Sequence, residues 1–275
     1  MSEVLRVEDL VVEFPGPGRR EVFRAVSGVG FGLDRGRTVG IVGESGCGKS
    51  TIARSIVRLQ RPTSGRILLA GTDISQLSER RLRPLRSRVQ MIFQDPYGSL
   101  DPRLTAAEIV GEPLRLRGVR DRRQQARELL ERVELPPSAL DRRPAEFSGG
   151  QRQRIGIARA LACRPDVLVC DEATSALDVS VQAQVLALLK DIQAETGVAY
   201  VVISHNLGVV HELSDDVLVL RRGEVVERGP VGAVLTRPAS AYTRALRDAA
   251  LDPTTMTGRK PRHLLTAISD TGGRP

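Results

Sequence analysis

The chain has 275 residues, 41% of them hydrophobic and 27% charged, with 26 Gly and no Trp. At roughly 150 residues per domain this is one large domain, or one domain with an appendage, and the composition excludes collagen-like or disordered bulk; an aromatic content of 3% argues against a sugar-binding or base-stacking surface. The +8 formal charge is mostly arginine, because only Lys49, Lys190 and Lys260 are lysines, and the arginines interleave with acids along Arg80–Arg88, Arg115–Arg123 and Arg142–Arg164, the pattern of a solvated basic surface.

Cys47, Cys163 and Cys170 have neither disulfide-framework nor metal-cluster spacing, which fits a reducing compartment. No run approaches the roughly 20 apolar residues of a spanning helix, so the chain is expected to be soluble and to meet a membrane only through partners.

In chain order, Leu5–Phe14 and Val22–Leu33 alternate with period two on either side of a Pro15–Gly18 break, which predicts an antiparallel sheet. Thr38–Val42 reads as a buried strand running into a Gly-rich turn and a helix that keeps Ile52, Ala53, Ile56 and Val57 on one face. Residues 94–162 are mostly helical in pattern and predict an inserted helical subdomain; within it Gln124–Leu135 places Ala126, Leu129, Leu130 and Val133 together and stops at Pro136 and Pro137. Strand Val167–Cys170, helix Val179–Thr196 closed by Gly197, and strand Val198–Ser204 then resume βαβ units with a parallel sheet. Val217–Leu220 and Val225–Val226 form a hairpin about Arg221–Glu224, and past Pro238 the pattern allows one helix, Tyr242–Leu251, before a basic, Gly/Pro-rich end that reads as disordered.

The strongest local signal is Gly43-Glu44-Ser45-Gly46-Cys47-Gly48-Lys49-Ser50, a G-x-x-x-x-G-K-S loop between a buried strand and an apolar-faced helix. Glycines let backbone N–H groups and a helix N-terminus wrap a polyphosphate. Lys49 then reaches the β- and γ-phosphates, and Ser50 offers a hydroxyl to Mg²⁺. Kinases, GTPases and motor ATPases share such a loop, so the second half of the chain must discriminate.

Ser148 followed by Gln151 has capping-box spacing; with Gly149 and Gly150 between them the same residues offer a second anion site at a helix start. Asp171 and Glu172 end an apolar strand, where ligands sit in an α/β sheet. Asp171 suits a Mg²⁺ shell, and Glu172 suits proton acceptance from an attacking water. His205 ends the next strand and could position a γ-phosphate, although a lone carboxylate or histidine at a strand end is often only a helix cap or a satisfied polar group.

Together these motifs resemble the ATP-binding subunit of an ABC transporter over residues 4–236, with Ser148-Gly149-Gly150-Gln151 the most specific of them. The resemblance implies a P-loop ABC ATPase fold, with 1–236 as the ATP-binding domain and 237–275 as a short extension. It implies Gly43–Ser50 and Thr51 as the Walker A loop, Gln94 as the Q-loop glutamine, Asp171 and Glu172 as the Walker B end, Asp178 in the D-loop, and His205 as the switch histidine. It also implies Phe14 as the aromatic against adenine. Catalysis then falls to Glu172, His205, Gln94 and Lys49, with ATP and Mg²⁺ as cofactors and the metal held by Ser50, Gln94 and, through water, Asp171.

Two such ATPases, identical or homologous, are expected to pair head to tail, each closing its Ser148–Gln151 segment over ATP on the other. Phe147 stands where Leu is usual and Asn206 where Asp is usual; neither removes a catalytic group. Met91–Arg103 and Cys170–Ser180 are similar to the dipeptide, oligopeptide and nickel importer group, which implies two membrane permeases, a substrate-binding protein acting indirectly, and a place on the cytoplasmic face of the inner membrane. Peptide is the expected cargo and nickel or a metal chelate the alternative. A soluble ABC ATPase acting on nucleic acid is a further alternative, but such relatives carry coiled coils, zinc inserts or a second ATPase domain, and none is read here.

Pro238–Leu246 is similar to the carboxy-terminal element of that group, with Ser240 and Ala241 in place of His and Pro; no Cys follows Cys170, so no iron–sulfur cluster is expected. Cys47, at the start of a helix, is expected to be a reactive thiolate that nucleotide shields from alkylation.

Overall fold

The computed structural model describes residues 2–16, 22–95, 98–175 and 177–251. The expected disordered end, from residue 252 onward, lies outside them, as do Pro96, Tyr97 and Ala176 of the motif segments. The strands are β1 (Glu3–Pro15), β2 (Val22–Asp34), β3 (Thr38–Gly43), β4 (Ser64–Leu69), β5 (Thr72–Asp73), β6 (Val89–Ile92), β7 (Val167–Asp171), β8 (Ala199–Ile203), β9 (Asp216–Arg221) and β10 (Glu224–Pro230). The helices are α1 (Lys49–Ile56), α2 (Glu79–Leu82), α3 (Ala106–Leu116), α4 (Arg122–Arg132), α5 (Gly149–Leu161), α6 (Val179–Thr196), α7 (Leu207–Leu213), α8 (Val231–Thr236) and α9 (Ala241–Leu251).

An antiparallel sheet in the order β2-β1-β4-β5 stands beside a central sheet in the order β10-β9-β3-β8-β7-β6, parallel except for β10. Side chains alternate across a strand, and that alternation divides the core in two. Val39 and Ile41 of β3, Val167 and Val169 of β7, and Val201 and Ile203 of β8 face a cluster shared with the antiparallel sheet and with Ile52, Ala53 and Ile56 of α1. Their neighbours Val42, Leu168, Cys170, Tyr200 and Val202 face the other cluster, built on α3 to α7. Strands buried on both faces read as continuous apolar runs, which is why β3, β7 and β8 stand out in the sequence.

Helix α6 has the expected bounds, closed by Gly197 in the left-handed conformation at φ 66°. Helix α4 ends at Arg132, three residues before the expected limit, because the chain turns through a left-handed Glu134 at φ 59° ahead of the prolines. Of the stretch 94–105, expected to be helical, the described residues form no helix before Thr105 caps α3. Among the described residues no helix is long and apolar enough to cross a membrane.

Candidate active site

Strand β3 delivers the glycine loop and α1 receives it. Gly43 closes against the end of β9, where an added Cβ would lie 2.2 Å from the Leu220 carbonyl oxygen. Gly48, at φ 108°, passes β2 so closely that a Cβ would lie 2.3 Å from the Ala25 carbonyl oxygen. Both positions therefore need glycine for space as well as for backbone conformation. Gly48 caps α1 without a side chain, so the first-turn N–H groups remain the donors that an anion would meet. Lys49 is 5% exposed, and its Nζ donates at 2.8 Å to both the Gly43 and the Glu44 carbonyls.

Strands β7 and β8 bring the polar groups to the same sheet edge. Ser50 Oγ donates to Asp171 Oδ1 at 3.1 Å. Burial raises the Asp171 pKa above the ordinary aspartate range, and the neighbouring Glu172 charge adds to it, while the Ser50 hydrogen bond, Arg54 and Lys49 pull the other way. At Glu172 the backbone leaves β7 in the left-handed region, φ 49°, with its N–H on the Ile203 carbonyl at 2.9 Å. That turn presents the Glu172 carboxylate to two partners: Gln94 Nε2 donates to Oε2 at 2.7 Å, and His205 Nδ1 lies 3.2 Å from Oε1.

Asn206, one residue on, accepts the Gly208 N–H at 2.9 Å and caps α7, a task Asn and Asp perform about equally. The departure from the usual Asp therefore preserves the local structure.

Ser148 and Gln151 form the predicted capping box: the Ser148 hydroxyl accepts the Gln151 N–H at 3.3 Å and the Gln151 side-chain Oε1 accepts the Ser148 N–H at 3.1 Å. Phe147 before them is buried beneath the Arg142 guanidinium, 4.4 Å from its ring centre. Gly150 lets α5 approach α6, since a Cβ there would lie 2.3 Å from Val181 Cγ1. Asp178 caps α6 through the Val181 N–H at 2.9 Å, and its hydrogen bond from Ser180 leads the causes that lower its pKa.

The apolar face of α5 lies in the cluster on one side of the central sheet and that of α1 in the cluster on the other. Ser50 with Asp171, and Gln94 and His205 with Glu172, are linked by hydrogen bonds within one chain, with Lys49 bonded in the loop beside Ser50, whereas Ser148–Gln151 belongs to the layer of α5. Phe14 is half-buried at the end of β1, opposite Phe23 in the strand register.

Cys47 departs from expectation. It is buried, and burial pushes its thiol pKa up despite the lowering influence of Lys49, so desolvation outweighs the helix start that would favour a thiolate. Two further groups, unnoticed in the sequence, touch the loop: Gly223 in the β9–β10 turn donates to the Cys47 carbonyl at 2.9 Å, and the Tyr242 hydroxyl accepts the Glu44 N–H at 3.4 Å. The Arg-Gly turn signal at 222–223 was available for the first; the second joins positions 198 residues apart.

A family profile described as ABC transporter matches residues 26–175. The chain belongs to the ABC transporter family. It is 50% identical over 258 residues to a probable peptide ABC transporter ATP-binding protein, y4tS, of Sinorhizobium fredii, covering 91% of this chain and 73% of that protein. It is 48% identical over 252 residues to the oligopeptide transport ATP-binding protein AppF of Bacillus subtilis, covering 88% and 77%. The fold is similar to the ATP-binding cassette MJ0796 in a dimeric post-hydrolysis state bound to ADP and Pi, at 30% identity and TM-score 0.74, over 82% of this chain and 98% of that one. As an ABC ATPase the chain binds ATP and couples its hydrolysis to transport, and Gly43–Ser50 and Glu172 both lie inside the matched span.

Proposed function

We propose that this ABC ATPase powers the import of peptides, hydrolysing ATP between its own phosphate loop and the Ser148–Gln151 segment of a second ATPase. The observation that carries the paired site is the separation of α1 and α5 into the two core layers on opposite faces of the central sheet. The second anion site then serves a neighbour's nucleotide. Peptide as cargo rests on the relatives named above.

In this reading the α1 N-terminus and Lys49 bind the phosphates and Thr51 follows them in the first helical turn, while Phe14 lies against the base. The oxygen donors Ser50 and Asp171, 3.1 Å apart, fit Mg²⁺; Gln94, which the resemblance also assigns to the metal, bonds the adjacent Glu172. Among the described residues no three His, Cys, Asp or Glu side chains cluster as a metal site; a Mg²⁺ ion bound through one or two protein oxygens would take its other ligands from phosphate oxygens and water. Mg²⁺ held by these residues would supply charge neutralisation at the transferring phosphoryl group. A buried Asp171 carboxylate is the group whose charge such a cation stabilises.

Glu172 accepts the proton of the attacking water; Gln94 and His205 hold its two oxygens in place. Two permeases receive the chain at the cytoplasmic face of the membrane, with Met91–Arg103 as the contact segment and a substrate-binding protein selecting cargo outside.

The test is reconstitution with the cognate permeases and substrate-binding protein in proteoliposomes, reading ATP hydrolysis against added peptide or nickel chelate. Stimulation by short peptides supports the proposal. Stimulation by nickel chelate alone, or by neither ligand while DNA binds with steep salt dependence, overturns it.

A further inference from the structure

The segment beyond β10 is anchored more firmly than an appendage needs. The Glu227 carboxylate of β10 accepts the Ala239 N–H at 2.7 Å on Oε1 and the Ser240 N–H at 3.0 Å on Oε2. Ser240 Oγ accepts the Tyr242 N–H at 3.2 Å and so caps α9. Arg244 donates to the Pro238 and Ala239 carbonyls, each at 3.0 Å, and Arg247 to the Thr236 carbonyl at 3.2 Å. These contacts fix the first turn of α9, and that turn presents Tyr242.

Tyr242 is 6% exposed, with the Arg221 guanidinium 5.1 Å from its ring centre. Its hydroxyl accepts the N–H of Glu44. That N–H and the Gly43 carbonyl belong to one peptide group, which is planar and moves as a unit. The carbonyl at its other edge accepts Lys49 Nζ at 2.8 Å. Gly43, at φ 152°, lacks the Cβ that would add a further restraint on the orientation of that plane. One peptide plane is therefore held at its N–H edge by the carboxy-terminal segment and at its C=O edge by the lysine of the phosphate loop. Burial pushes the Tyr242 phenol up to about 12, so the hydroxyl stays neutral.

We propose that Tyr242 is a positioning residue for Lys49, acting through the Gly43–Glu44 peptide, so that the docking of residues 237–251 sets the affinity of the phosphate loop for nucleotide. This rests on the reading of Gly43–Ser50 as the ATP phosphate site. A residue that only filled space would support the fold without biasing the lysine; one that holds the peptide plane also selects the direction of the Gly43 carbonyl.

The experiment uses the full chain. Tyr242→Phe keeps the ring, its burial and the Arg221 contact and deletes only the acceptor. It is expected to raise the Kd for Mg-ATP about threefold, the lower range for one net hydrogen bond, with the loss in KM rather than kcat and with faster alkylation of Cys47 by N-ethylmaleimide in the absence of nucleotide. Glu227→Gln, which loosens the anchor but keeps the hydroxyl, should shift the Kd in the same direction, and the double variant should be no weaker than the worse single one, because coupled positions are non-additive. Lys49→Ala separates the two readings. An unchanged Kd and an unchanged Cys47 rate in Tyr242→Phe, while Lys49→Ala loses ATP, overturn the role of Tyr242 alone. Wild-type ATP affinity in Lys49→Ala overturns the phosphate-site reading and the inference with it.

Discussion

Replacing Glu172 by Gln is expected to stop hydrolysis while leaving ATP bound. The carboxylate meets Gln94 on one oxygen, at 2.7 Å, and His205 on the other, at 3.2 Å. Lys49, by contrast, is bonded to the loop carbonyls. Gln keeps the volume of Glu but only one acceptor oxygen, so its amide NH₂ must face either the Gln94 amide or the imidazole, and the amide itself cannot take a proton. Loss of a general base costs about 10²- to 10⁴-fold in rate, or about 3 to 5 kcal/mol at 1.36 kcal/mol per decade. The assay is single-turnover hydrolysis with protein in excess over radiolabelled ATP, run beside equilibrium ATP binding on the same preparations. A single-turnover rate within tenfold of wild type would refute the assignment of Glu172 as base. A fall in ATP affinity matching the fall in rate would mean that the carboxylate shapes the binding site rather than the chemistry.

Gly48→Ala should abolish ATP binding and lower the melting temperature, because its Cβ would lie 2.3 Å from the Ala25 carbonyl oxygen in a left-handed backbone; isothermal titration and thermal melting check both effects. Tyr200→Phe removes the hydroxyl that donates to the Leu189 carbonyl at 2.8 Å in a fully buried site, and should cost about 1 kcal/mol in urea unfolding without altering ATP affinity. Glu227 is held below its ordinary pKa of 4.5, because hydrogen bonds from the segment starting α9, together with Arg244, outweigh the opposing effect of burial. A depressed carboxylate stabilises above its unfolded pKa and loses that contribution as the pH falls through its lowered native value. The protection factors of the α9 amides, taken against the intrinsic exchange rates at each pH, should accordingly fall on acidification below about 4.5 and lose that pH dependence in Glu227→Gln. Cys47, its thiol pKa raised by burial, should react with N-ethylmaleimide more slowly than free cysteine at neutral pH; a faster rate would restore the thiolate expectation.

The parts of the fold legible in the sequence are those whose cause is local. Strands β3, β7 and β8 are continuous apolar runs because both faces of the central sheet are covered, and α6 announces its end with Gly197. The short strands β4, β5 and β6 went unread for the opposite reason. Two to six residues carry too little period to separate strand from turn, and β4 holds its place by pairing with β1, more than fifty residues earlier in the chain. The left-handed Glu134 that stops α4 before its apolar pattern ends is a decision of the surrounding packing.

The candidate site divides along the same line. Lys49, Ser50, Asp171 and Glu172 could be picked out because each sits in a contiguous run whose residue types already fit the chemistry, and the fold had only to lay the ends of β3 and β7 along one sheet edge. The Ser148–Gln151 box was equally visible, but the sequence could not say whether it caps a helix or meets an anion. The structure shows the cap, which leaves donors free for the proposed anion site. Satisfying the Ser148 and Gln151 N–H groups within the box leaves those of Gly149 and Gly150 as the donors at the helix start, while the absence of a Cβ at Gly150 draws α5 down onto Val181. The cap therefore fixes the direction in which the remaining donors point, so that in the proposed pairing this helix start would meet a neighbour's phosphate without reordering. Cys47 could not be read this way. A helix start favours its thiolate and burial opposes it, and only the packing of Gly43 and the β9–β10 turn around the loop determines that burial prevails.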